Sequence, residues 1–243
     1  MRQRDLQRRG GVCTLEEKEW ADMQRLLKGL YGLNLLGAVG YYVVCLPALL
    51  AGHPIYPGQK GLLAQVAAGV LLAFLPLIIE HGFKFRFPLV LKVIYECFIL
   101  GSVLLGTGMQ FYNIPYWDKF LHLFSASLLA GLGLALYSAR TPVAKRAEID
   151  PLLISGFAFC FGTTIGVFWE FYEFTFDGLL GMNMQRFLAN GVPLVGRAAL
   201  MDTMGDLFAD VFGALVLAVW AYVMLNRDHK WLQPFTFTKL TTK

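Results

Sequence analysis

Three aspartates, Asp202, Asp206 and Asp210, recur every four residues in "MDTMGDLFADVFGALVLAVWAYVML" (201–225), just where the chain turns almost wholly apolar. That spacing stacks them on one face of a helix. Like charges stacked this way repel, so the arrangement needs a partner. Two other segments carry matching groups. "WDKFLH" (117–122) sets Asp118 and His122 four apart, and "GTTIGVFWEFYEF" (162–174) sets Glu170 and Glu173 three apart. Both spacings share a helix face. Carboxylates with one imidazole, and no thiolate in these segments, describe an oxygen-rich cation site, for Mg2+, Mn2+ or Ca2+ over Zn2+. Asp118, His122, Glu170, Asp206 and Asp210 are the expected metal ligands. Glu173 is the expected general base for a bound water. No organic cofactor is implied.

The same residues admit a plainer role. Acids in the first turn of a helix stabilise its dipole, which would account for Asp202 and Asp206 without any ligand. Glu170 and Glu173 fall at a C-terminal end, where the dipole disfavours negative charge, so that account does not serve them. A lone His122 would read as a hydrogen-bonded interior residue, and Asp118 one turn away strengthens the ligand reading.

The elements that position these groups are apolar. Hydrophobic residues make up 56% of the 243, charged residues only 16%, and the mean hydropathy is +0.54. A soluble domain carries about a quarter charged residues. Six apolar runs lie at about 31–51, 62–79, 89–109, 120–138, 152–169 and 207–225. Each has the length needed to cross a hydrocarbon core of about 30 Å. The sequence therefore predicts an all-α polytopic membrane protein, a bundle of about six transmembrane helices in residues 31–225, with the lipid bilayer as its partner. The first run follows a polar segment without a small-residue cleavage site, so it reads as a retained span.

Residues 1–30 read as a cytoplasmic arm. Within it, "TLEEKEWADMQRLLKGL" (14–30) has Thr14 and Glu17 in capping-box spacing, and Leu15, Met23, Leu26, Leu27 and Leu30 near one face. That predicts an amphipathic interfacial helix, the alternative being a plain extension of the first span. Residues 226–243 form a basic tail. Gly162 and Gly166, and Gly213 with Ala214, are small residues placed to let helices five and six approach beneath the carboxylates. Cys13, Cys45, Cys97 and Cys160 form no Cys-x-x-Cys pair and read as apolar filler.

Lysine and arginine set the orientation. With both termini in the cytoplasm, 17 of the 21 basic residues face inward, and only Lys60, Lys119, Arg186 and Arg197 face outward. The acid-bearing ends of spans four, five and six then meet at the outer surface, with the longest connection, about 171–206, among them. Seven of the 17 acids lie on that side, Asp177 included. The net charge of +4 belongs to a membrane surface and gives no argument for nucleic acid.

"WDKFLH" (117–122), "FWEFYE" (168–173), "GMNMQ" (181–185) and "DTMGDLFADVFGA" (202–214) together resemble the YjdF-like family of bacterial inner-membrane proteins. The opening of the first motif is similar, more distantly, to the VanZ-like membrane proteins. The resemblance covers roughly residues 30–225 and implies the bacterial cytoplasmic membrane, without naming a reaction. The aspartate run also resembles the end of the CDP-alcohol phosphotransferase signature, but its preceding half is absent here.

Three readings of function follow. The first is metal-dependent hydrolysis or transfer on a lipid or envelope substrate. The second is a cation- or proton-coupled transporter, in which the acids form a vestibule and Glu96, inside the third span, continues the path. The third is a scaffold whose acids only fix helix packing. The sequence leaves the oligomeric state open.

Overall fold

The computed structural model describes residues 15–239. Residues 1–14 of the arm, Cys13 and Thr14 among them, and residues 240–243 of the tail lie outside them. Seven α-helices make six membrane-length spans among the described residues, so the chain is an all-α polytopic membrane protein.

α1 (Leu15–Leu50) is one continuous helix of 36 residues. Residues 15–30 thus extend the first span instead of forming a separate helix. At 1.5 Å per residue α1 is about 54 Å long, well beyond a hydrocarbon core of about 30 Å. The second span, 59–83, is split into α2 (Gln59–Ala73) and α3 (Leu75–Phe83). The break is at Phe74, two residues before Pro76, which has no N–H to continue the ladder. α4 (Leu89–Ile99) passes directly into a π-helix over Leu100–Gly108. α5 (Trp117–Arg140), α6 (Pro151–Leu180) and α7 (Met201–Arg227) complete the spans.

The helices sort into two lobes. α5, α6 and α7 pack mutually around small residues, with Ala126, Ala130, Ala158, Ala214 and Ala221 buried beside Leu134, Ile154 and Leu225. Lipid offers apolar side chains no less than a protein core does, so helices associate here through close backbone packing. A Cβ on Gly162 would lie 2.8 Å from the Ala126 carbonyl oxygen and 3.1 Å from Ala214 Cβ, and one on Gly213 would strike the Leu123 carbonyl. Gly213 therefore seats α7 on α5, while Gly162 is wedged between both. The other lobe sets α1 against α2, α4 and the π-helix around Ala38, Tyr41, Cys45, Leu63, Val66 and Leu104.

The lobes join along α4 and α5 and through the segment after α7. There β1 (Phe85–Arg86) pairs antiparallel with β4 (Thr238–Lys239), and Phe85, Phe87 and Phe237 cluster at ring-centroid distances of 5.0–5.5 Å. A short hairpin, β2 (Leu188–Ala189) with β3 (Val192–Pro193), sits in the connection between α6 and α7. That connection is shorter than the sequence predicts, because α6 runs on to Leu180 and stops at Gly181, whose φ of 63° is left-handed. Hydropathy falls off after residue 169, but "EFYEF" stays helical, keeping its acids on one face. The polar boundary marks water, not the end of the helix.

Candidate metal centre

The start of α5, the end of α6 and the start of α7 meet at the end of the bundle away from the β1–β4 pair. Along α6 the buried positions run Gly162, Gly166, Glu170, Glu173 and Asp177, one stripe at spacings of three and four. Gly166 lies against Asp210, and a Cβ there would collide with the Asp210 carboxylate. On α7, Asp206 and Asp210 are 1% and 2% exposed. Carboxylates buried this deeply must be paired, hydrogen-bonded or bound to a cation.

Lys119 answers part of that need. Its Nζ donates to Asp202 Oδ1 at 2.6 Å, to the Asp202 carbonyl at 3.1 Å and to Asp206 Oδ2 at 2.8 Å. Asp118 Oδ2 lies 3.7 Å away. Gly205 leaves room for the lysine stem, since a Cβ there would sit 2.9 Å from Lys119 Cε. Two of the three stacked aspartates thus hold one ammonium from the neighbouring helix.

His122 takes the third. Its Nδ1 lies 3.3 Å from Asp210 Oδ1 and 3.4 Å from Oδ2. Nε2, on the far side of the ring, faces Asp206 Oδ1 at 3.5 Å and Asp118 Oδ1 at 4.0 Å. Asp206 Oδ1 is buried and has no hydrogen-bond partner. One ligand atom each from Asp118, His122 and Asp206 lies within 4.8 Å of the others, so these three could hold a metal ion.

The remaining expected residues stand beside this group. Glu170 accepts from Gln185 Nε2 at 3.3 Å through Oε2, and its Oε1 is buried without a hydrogen-bond partner. Glu173 accepts from Trp169 Nε1 at 2.9 Å and lies within electrostatic range of Glu170, His122 and Asp118.

The connection 181–200 closes over the group, and most of its contacts are not legible in the sequence. Asp177 accepts the backbone N–H groups of Met184 at 2.7 Å and Gln185 at 3.0 Å, which aims the Gln185 side chain inward. Gln185 also donates to Thr203 Oγ1 at 2.8 Å, tying α6 to α7. Arg186, with a left-handed φ of 48°, reaches Asp118 Oδ2 at 3.4 Å and the Tyr112 carbonyl at 3.2 Å. Tyr112 lies in the connection before α5. Burial, helped by Asp118 and Glu173, pushes its phenol above the ordinary tyrosine value, so it stays neutral. The signals available in the sequence were Gly181 as a helix stop and Asp177 one turn beyond Glu173. Neither indicates where Gln185 or Arg186 would land.

No curated protein and no solved structure matches this chain. A family sequence model does match, and the YjdF-like resemblance is consistent with it. The matched residues, 38–227, take in the last third of α1, the other five spans and every acid of the cluster. The chain belongs to the family described as predicted membrane protein (DUF2238).

Proposed function

We propose that Asp118, His122 and Asp206 bind a divalent cation at the extracytoplasmic face of a bacterial cytoplasmic membrane, and that the site supports metal-assisted hydrolysis or transfer on a lipid or envelope substrate. The observation that carries this reading is the division of labour around His122. Asp210 sits on Nδ1, and Nε2 faces the unpartnered Asp206 Oδ1 at 3.5 Å; with the proton held on Nδ1 by Asp210, the Nε2 lone pair would be free for an ion. A carboxylate behind one imidazole nitrogen, with the other free for an ion, is how histidine ligands are held in metal sites. Asp210 is then a support to the ligand in this arrangement, not a ligand itself.

Separations of 3.5 and 4.0 Å are long for hydrogen bonds but fit atoms that share an ion at about 2.0–2.2 Å from each. Two carboxylates to one imidazole favour Mg2+, Mn2+ or Ca2+ over Zn2+. Three protein ligands leave positions for water and substrate, the arrangement of a catalytic site. Lys119 neutralises the second oxygen of Asp206, and Glu173, within electrostatic range of His122 and Asp118, would act as the general base for a bound water. The predominance of basic residues at the opposite end of the spans supports the outward orientation, with both termini in the cytoplasm.

Elemental mass spectrometry of the purified protein, paired with melting curves, tests the reading. Added Mn2+ is expected to raise the melting temperature and chelator to lower it, because a ligand of the native state stabilises by mass action. Asp206→Asn should abolish both effects. Metal-free protein whose melting curve is identical in Mn2+ and in chelator would overturn it.

A further inference from the structure

The α1–α2–α4 lobe contains a polar site that the acidic end does not use. Glu96, on α4, is fully buried. Asn34 of α1 donates through Nδ2 to Glu96 Oε2 at 2.9 Å and to the Glu96 carbonyl at 3.2 Å. Glu96 Oε1 and the hydroxyl of Tyr31, three residues before Asn34, are both buried and have no partner but each other. The two side chains lie within electrostatic range of one another.

Among the described residues, none beside Glu96 supplies a positive charge. Tyr31 faces Glu96 from α1, Tyr95 and Cys97 flank it on α4, and Glu80 approaches Tyr31 from α3. Lys92, one turn earlier on α4, is held by Glu80 Oε1 at 2.8 Å. α2 contributes only Val66, Gly69 and Val70, which line a cavity of about 10 Å³ together with Asn34, Ile99 and Val103. That is room for about one water. The π-helix begins at Leu100, one turn beyond Glu96, and π turns inside helices recur at functional sites.

A charged carboxylate whose partners are one amide and one phenol, with no cation beside it among the described residues, is costly inside a bilayer, and a bound proton removes the charge while turning Oε1 into a donor. We propose that Glu96, with Asn34 and Tyr31, forms a proton-binding site within the membrane, separate from the metal centre. Asn34 engages Oε2, so the proton resides on Oε1, beside the Tyr31 hydroxyl. The site takes up and releases a proton as its own chemistry, whichever reaction runs at the acidic end.

Dicyclohexylcarbodiimide, an apolar reagent for protonated carboxyls, tests this on the full chain in lipid nanodiscs. The carboxyl proton passes to a carbodiimide nitrogen, the carboxyl oxygen bonds to the central carbon, and an oxygen-to-nitrogen acyl shift leaves a stable N-acylurea with no leaving group. Peptide mass spectrometry at neutral pH should map the adduct to Glu96. Labelling should fall about tenfold for each pH unit above its midpoint, as the proton is lost. Glu96→Gln should lose the adduct and keep the melting response to Mn2+. Asn34→Ala removes a donor that favours the ionised form, so its midpoint should move to higher pH. Should Glu96→Gln fail to fold, the wild-type mapping and the Asn34→Ala shift decide. No adduct at Glu96, an adduct that does not vary with pH, or protection by sodium at constant pH would overturn the assignment.

Discussion

His122 presents Nδ1 to Asp210, 3.3 Å from Oδ1, and so turns its opposite nitrogen toward α5's own Asp118 and α7's Asp206. Two aspartates one helical turn apart on α7 therefore act on one ring from different sides. If Asp210 only orients the ring, Asp210→Asn should weaken Mn2+ binding by roughly 10–100-fold without abolishing it. Asp206→Asn should remove binding altogether, and Glu170→Gln should leave it within a few-fold of wild type. Calorimetric titration of the purified proteins checks the order. Equal losses for Asp210 and Asp206 would make both of them ligands.

Lys119 bridges Asp202 and Asp206 while its own side chain remains partly exposed. Lys119→Met leaves Asp206 buried and without its ammonium. Removing one member of a buried pair is costly, so a fall in melting temperature of roughly 5–10 °C is expected in metal-free buffer. Added Mn2+ should recover more of that loss than it adds to wild type, since the ion then faces an uncompensated carboxylate. A variant that melts like wild type in chelator would show that Lys119 contributes little.

Gly166 and Gly213 are close-packed for different reasons. A Cβ on Gly166 meets the Asp210 carboxylate, while one on Gly213 meets the Leu123 backbone. A side chain can rotate away and a helix carbonyl cannot. Gly166→Ala should therefore cost about 1–3 kcal/mol and weaken metal binding by displacing Asp210, and Gly213→Ala should destabilise more. Gly156→Ala, with nothing within 4 Å of the new methyl, should be tolerated and serves as control. Melting curves with and without Mn2+ separate the packing loss from the binding loss.

Orientation is open to a direct measurement. Val195, 83% exposed in extended backbone between α6 and α7, and Ala144, exposed between α5 and α6, lie at opposite ends of the bundle. In a chain with its four cysteines replaced, an impermeant maleimide added to intact cells should label a cysteine at 195 and spare one at 144. The reverse pattern would place the candidate metal centre in the cytoplasm.

Hydropathy and spacing alone determine the six spans and the faces of their acids. Apolar length sets what can cross the bilayer, and a period near 3.6 fixes azimuth, so Glu170 with Glu173, and Asp206 with Asp210, are each legible as one buried stripe. Neither quantity fixes how one helix is rotated or raised against the next. Glycines packed against neighbouring groups settle that, and only then does Asp206 acquire Lys119 on one oxygen while turning the other to His122. The strap carrying Gln185 and Arg186, the π-helix after α4 and the unbroken α1 are likewise tertiary outcomes. They depend on which backbone groups find partners across the fold, and the spacing of residues along a single helix does not contain that.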